Sequence, residues 1–166
     1  MTYSVETLTA EHAADWLKLR LEGAELYPLG FLITVEEASE MTVDRAAEIL
    51  SFGGMRGLFF QSQLVGFAGY RPERLARTRH RAEVGPFYIR TEHHGKGAAG
   101  DLMMAIVDEA KSAGVEQLEL FVDTENARAI GFYEKFGFER IATHPDGVRI
   151  DGNSRSDHFY NKKLRP

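Results

Sequence analysis

Residues 83–100 read EVGPFYIRTEHHGKGAAG, and the fold follows from how this stretch changes character along its length. Its first seven residues, EVGPFYI, are apolar enough for a strand, yet Gly85 and Pro86 interrupt them. Proline cannot donate to a ladder, so a bulge or a break in the pairing is expected at that point. Its last seven, His94-Gly95-Lys96-Gly97-Ala98-Ala99-Gly100, open an amphipathic helix reaching about Ala113, with Leu102, Ile106, Val107 and Ala110 on the inner face. Glycines let the main chain approach a ligand closely, and the first-turn amides of a helix point out unpaired with a positive dipole end behind them. That combination binds phosphate; the plainer use is a flexible turn that only starts a helix. Neither familiar dinucleotide signature fits: Gly97 and Ala98 follow Lys96 where a Walker loop needs Lys-Ser/Thr, and the Rossmann glycine spacing is broken at Ala98.

On the N-terminal side, YSVETLT at residues 3–9 alternates as a strand, Thr9 is placed to cap a helix, and Ala13, Trp16, Leu17, Leu19 and Leu21 form an apolar stripe. LYPLGF at 26–31 reads as a loop rich in exposed apolar groups, suited either to line a cleft or to form a homodimer interface. Thr34 and Glu37 fit a capping box, and a further helix is expected over Val43 to Leu50. GLFFQSQLVGFAGYR, from Gly57, carries two apolar runs about a polar Gln61-Ser62-Gln63 turn, a hairpin signal. On the C-terminal side come a strand at 117–123 (QLELFVD), a helix from about Glu125 to Phe136 stopped by Gly137, and strands at 138–144 and 156–164 separated by the turn-rich PDGVRIDGN. Strand, helices, three strands, helix, strand, helix and two strands make a mixed α/β layer architecture.

The 166 residues suit one domain, 1–166, able to bury roughly 70% of its unfolded surface. No apolar run approaches the ~20 residues of a membrane span, and MTYSVETLTAEH has neither a basic start nor an apolar h-region, so a cytoplasmic protein without a membrane partner is expected. The absence of cysteine excludes disulfides, thiolate metal sites and a cysteine nucleophile. A formal charge of -5 argues against a nucleic-acid partner and mildly favours a cationic or neutral substrate. His93 and His94 are adjacent, so their side chains diverge, and no metal site is expected.

A second block, DTENARAIGFYEKFGF at 123–138, places Asn126 at a strand-to-helix junction and Tyr133 seven residues on, on nearly the same helical face because two turns take about 7.2 residues. Singly, Asn126 reads as a helix cap and Tyr133 as an aromatic packed beside Phe132 and Phe136. Together the two blocks resemble the GCN5-related N-acetyltransferase (GNAT) family. Its Q/R-x-x-G-x-G/A loop is matched by His94, Gly97 and Ala99, and its Asn-x-x-Ala-x-x-x-Tyr segment ending in Gly-Phe by Asn126, Ala129, Tyr133, Gly137 and Phe138. His94 stands where glutamine or arginine is usual, which leaves the main-chain cradle unchanged.

The resemblance implies a mostly antiparallel central sheet flanked by helices, with two splayed parallel strands, here EVGPFYI and LELFVD. It implies acetyl-CoA as acyl donor, held by Tyr88, Ile89, His94, Gly95, Lys96, Gly97, Ala98, Ala99, Gly100, Asn126 and Arg128, with an amide near Tyr88 as an oxyanion donor. Lys96, Arg90, Arg128 and Lys135 stand near the coenzyme phosphates. Tyr133 is the implied general acid and Glu83 the carboxylate that takes the amine's proton, directly or through water. Glu83 alternatively pairs with the arginines of 74–81, and His158 is a second base candidate. The expected activity is N-acyl transfer to a small-molecule primary amine by direct attack in a ternary complex. A CoA-binding sensor and a peptide N-acetyltransferase are the rival readings.

Overall fold

The computed structural model describes residues 1–165. In chain order the elements are β1 (Ser4–Thr7), α1 (Ala13–Leu26), α2 (Val35–Glu40), α3 (Val43–Ser51), β2 (Met55–Phe60), β3 (Gln63–Pro72), β4 (Arg81–Ile89), α4 (Ala98–Ser112), β5 (Gln117–Asp123), α5 (Ala127–Lys135), β6 (Glu139–Ile150) and β7 (Asn153–Lys163), with 3-10 turns at Ala10–His12, Pro28–Gly30 and Thr91–His93. The strands form one sheet ordered β1-β2-β3-β4-β5-β7-β6. Neighbours are antiparallel except β4 and β5, which run parallel. No helix among the described residues is long and apolar enough to cross a membrane.

Strand alternation sends successive side chains to opposite faces, and each face has its own helices. Phe67 and Tyr88 turn to the face covered by α1 and α3 and pack with Trp16, Leu19, Ala46 and Leu50. Ala68 and Ile89, one residue on in each strand, turn to the other face and meet Leu102, Met103 and Ile106 of α4 and Tyr133 of α5. Leu102, Met103 and Ile106 are fully buried, and burying such a side chain stabilises by about 1.5–3 kcal/mol. Thr34 accepts from Glu37 N at 3.1 Å and Glu37 Oε2 from Thr34 N at 2.8 Å, the reciprocal capping box that starts α2. Gln61 and Ser62 adopt φ of 49° and 65°, the left-handed pair that closes the β2–β3 hairpin.

Two expectations change. PDGVRIDGN is not a long turn: β6 runs on to Ile150, and only Asp151-Gly152, with φ of 51° and 77°, makes the reversal. A two-residue Asp-Gly turn suffices because both residues tolerate positive φ, while β6 is an edge strand whose outer side asks no ladder bond of Pro145. The loop 26–31 is not uniformly exposed either, since Phe31 is buried against Phe67 and Tyr88 while Leu26 lies open.

Candidate active site

The site begins where the parallel pair comes apart. β4 and β5 are in register only at Arg81–Gln117, Ala82–Leu118 and Glu83–Glu119. Beyond Glu83 the ladder stops, and two residues of β4, Gly85 and Pro86, lie opposite one residue of β3, Gly69. Gly69 must be glycine: a Cβ there would sit 2.1 Å from the Gly85 carbonyl oxygen. The sequence break at Gly85-Pro86 is therefore a bulge that bends β4 away from β5.

Past the bulge, Arg90 N donates to Val65 O at 2.9 Å. By alternation the main-chain groups of Tyr88 face β3 as well, whereas those of Phe87 and Ile89 face the gap. Tyr88 contributes its side chain to the helical face instead. Its hydroxyl donates to Glu22 Oε1 at 2.6 Å, and burial first, then that bond, holds the phenol far above its ordinary pKa. Arg90 is tied to the same Glu22 at 3.1 Å, so α1 braces the end of β4.

The glycine loop follows at once. Gly95 and Gly97 take φ of 71° and 85°, and Gly97, left-handed, is the N-cap of α4 without a side-chain cap bond. The first intrahelical bond runs from Asp101 N to Gly97 O at 2.9 Å, which leaves the amides of Ala98, Ala99 and Gly100 without helical acceptors. A trench of about 540 Å³ is lined by this loop on one side and by Arg128, Phe132, Lys135 and Phe136 on the other. Unpaired amides, a helix dipole and two cations fit the pyrophosphate and phosphate groups of a coenzyme A. Of the four cations considered from sequence, Arg128 and Lys135 line the trench and Lys96 and Arg90 do not. His94 Nε2 lies 2.6 Å from the Ile89 carbonyl oxygen, so its N–H holds the loop to the strand end. Burial, partly offset by that bond, lowers the imidazole's pKa.

The second cavity, about 580 Å³, occupies the mouth of the splay. Tyr133, Asn126, Ala129, Phe87 and Glu83 all line it. Asn126 caps α5 through Oδ1, which accepts from Ala129 N at 3.3 Å, so the capping reading holds and its side chain still borders the cavity. Tyr133 packs edge-on against Phe87 and Phe138, at 6.4 Å and 5.7 Å between ring centres. Burial raises its phenol pKa well above the ordinary value, which keeps it a protonated donor. Glu83 is about half exposed and its Oε1 accepts from Arg71 at 2.8 Å, an arginine outside the 74–81 run. His158 does not line the cavity; its ring bonds Thr143 Oγ1 at 2.8 Å, and it shares the sheet face of Tyr160.

The sequence model of the acetyltransferase (GNAT) family matches residues 11–138. The chain belongs to the GNAT family. Among curated relatives it is 34% identical over 76 residues to the mycothiol acetyltransferase of Brachybacterium faecium, a match spanning 46% of this chain and 23% of that protein. It is 24% identical over 143 residues to the spermine/spermidine N(1)-acetyltransferase of Bacillus subtilis, covering 84% of this chain and 89% of that one. The chain thus spans about a quarter of the length of the mycothiol relative it matches. A Salmonella typhimurium protein solved with its cofactor acetyl-CoA superposes with a TM-score of 0.84 at 17% identity, over 100% of this chain and 96% of that one, a likeness of fold.

Within this GNAT domain the cavity also gathers side chains that sequence reasoning passed over: Arg20, Arg71, His144 and Asp157. Arg20 stacks over the Trp16 ring at 5.5 Å. His144 and Asp157 face one another across β6 and β7 as register partners. Nothing in a single sequence marks them, because their meeting depends on the register of the β6–β7 hairpin, which shifts between His144 and Val148.

Proposed function

We propose that the chain is an acyl-CoA-dependent N-acetyltransferase that acetylates the primary amine of a small molecule. The observation that carries this reading is the splay: beyond Glu83 the parallel ladder stops, a cavity lined by Glu83, Phe87 and Tyr133 occupies the opening, and the amide-lined trench follows at the end of the same strand. Acetyl-CoA supplies a thioester, already activated toward an amine. The loop 94–100 with Arg128, Lys135 and Asn126 binds its anionic and amide portions, and the gap-facing groups of Phe87 bind the extended arm as a neighbouring strand would, the Ile89 carbonyl being held by His94. Because the main-chain groups of Tyr88 face β3, the oxyanion donor falls to a gap-facing amide next to it, that of Ile89.

Tyr133 donates the proton that the departing thiolate needs, and Glu83 takes the proton of the attacking amine through water. No cysteine is present to carry the acyl group, so transfer is direct, within a ternary complex. The retained Tyr133 disfavours a purely sensory role. The names of the mycothiol and spermine/spermidine relatives support a small-molecule acceptor. The test is acetyl-CoA turnover against a panel of spermidine, amino acids and simple alkylamines, read by thiol release, for which a cysteine-free enzyme gives no background. Amine-dependent thiol release is expected; CoA binding with none across the panel would favour the sensor.

A further inference from the structure

Three carboxylates line the larger cavity: Glu83, Asp123 and Asp157. Two are neutralised by arginine. Glu83 pairs with Arg71 at 2.8 Å, and Asp123 receives both arms of Arg155 at 2.6 Å and 2.7 Å. Asp157 has no lysine or arginine within 4.0 Å among the described residues, and its Oδ1 is buried without a hydrogen-bond partner. The imidazole Nδ1 of His144 stands 3.3 Å from that oxygen, on a side chain that is 62% exposed. That oxygen is covered by Gly147 and His144, but the side chain as a whole borders the cavity, 14% exposed, with no lysine or arginine of the described residues paired to it.

The local backbone is built around this pair. His144 is opposite Asp157, and the next matched positions are Val148 and Arg155, so residues 145–147 of β6 bulge out over Ser156 alone. Asp146, with φ of 51°, turns that bulge and is held there by Arg149 at 2.7 Å. Gly147 closes it. A Cβ at Gly147 would stand 2.3 Å from Asp157 Oδ1 and 2.6 Å from His144 Nδ1, so a glycine is needed to seat the pair. Among the described residues no group of three metal-ligating side chains occurs, so one carboxylate and one imidazole are not a metal site.

We propose that Asp157, oriented by His144 and seated by Gly147, receives an ammonium group of the acceptor and so selects cationic amines. The inference rests on the acetyltransferase reading for its acceptor but is testable by binding alone. Trp16 is the chain's single tryptophan and lines the same cavity, so its fluorescence reports occupancy.

With the CoA-loaded protein, spermidine and n-hexylamine are titrated against the wild type and Asp157→Asn, which keeps size and loses charge. The expected result is an amine affinity weakened about 10- to 100-fold in Asp157→Asn, with CoA affinity unchanged. Gly147→Ala, which keeps the charge and displaces the pair, weakens it in the same direction. In turnover the amine KM rises by the same factor while kcat stays within about threefold. Amine binding unchanged in folded Asp157→Asn, a loss of kcat with KM unmoved, or a wild type that binds neither amine would overturn the proposal. A protein that binds amines through Asp157 yet releases no thiol contradicts the transferase reading and leaves this one standing.

Discussion

His94 and Ile89 are joined by a 2.6 Å contact between the imidazole Nε2 and the main-chain carbonyl oxygen, which ties the glycine loop to the end of the splayed strand. The contact spans the point where β4 gives way to the cradle, so it sets the direction in which the amides of Ala98, Ala99 and Gly100 point. It also gives a role to the histidine that replaces the family's usual glutamine or arginine: the side chain is engaged with the protein's own backbone. His94→Ala should weaken CoA binding about 3- to 10-fold, the scale of one lost hydrogen bond, with little change in amine KM. Calorimetry with CoA reads the effect.

Gly69 governs the bulge from the neighbouring strand. A Cβ there would meet the Gly85 carbonyl oxygen at 2.1 Å and the Arg71 guanidinium at 2.5 Å. Gly69→Ala should therefore cost about 1–3 kcal/mol of stability, as overpacking does, and disturb the Arg71–Glu83 pair. Denaturant unfolding measures the first effect and the amine-dependent rate the second.

Much of this was legible in the sequence, and for reasons that differ by residue. Gly85-Pro86 announced the bulge because proline's missing N–H has a consequence wherever it stands in a sheet. Asn126 announced its cap, whereas the left-handed φ of Gly97 is a finding of the structure. By contrast the β6–β7 hairpin was divided too early, since Pro145, Asp146 and Gly147 are turn residues whose use as a mid-strand bulge depends on an edge position. His144 and Asp157 were silent for the same reason, as a cross-strand pair has no fixed spacing along the chain.

Glu83 and His158 separate cleanly by position. Glu83 borders the cavity beside Arg71, while His158 is not one of the lining side chains and bonds Thr143. Glu83→Gln should lower kcat by about 10- to 100-fold on the general-base scale, whereas His158→Ala should leave it within about threefold. A larger loss in His158→Ala would reverse the assignment.

Alkaline stability follows from the buried phenols. Burial is the leading cause that raises the pKa of Tyr70, Tyr88, Tyr133 and Tyr160 above the ordinary value of 10.0. Above that value the unfolded chain releases phenolic protons that the folded chain keeps, so the unfolded state binds fewer protons and stability falls as pH rises. This contribution is fully present below pH ~10 and is lost above it. Phenolate absorbance should therefore rise in two steps, the later one coinciding with loss of far-ultraviolet circular dichroism; full titration of a still-folded protein would contradict the burial.

The most direct measurement of the whole account is the acetyl-transfer rate of Tyr133→Phe, set beside its CoA affinity. The substitution removes one hydroxyl from a ring that stays packed between Phe87 and Phe138. The account predicts a kcat lower by about 10- to 1000-fold with CoA affinity near that of the wild type. Full activity in the folded variant would show that proton donation at the splay does not drive the reaction, and would contradict it.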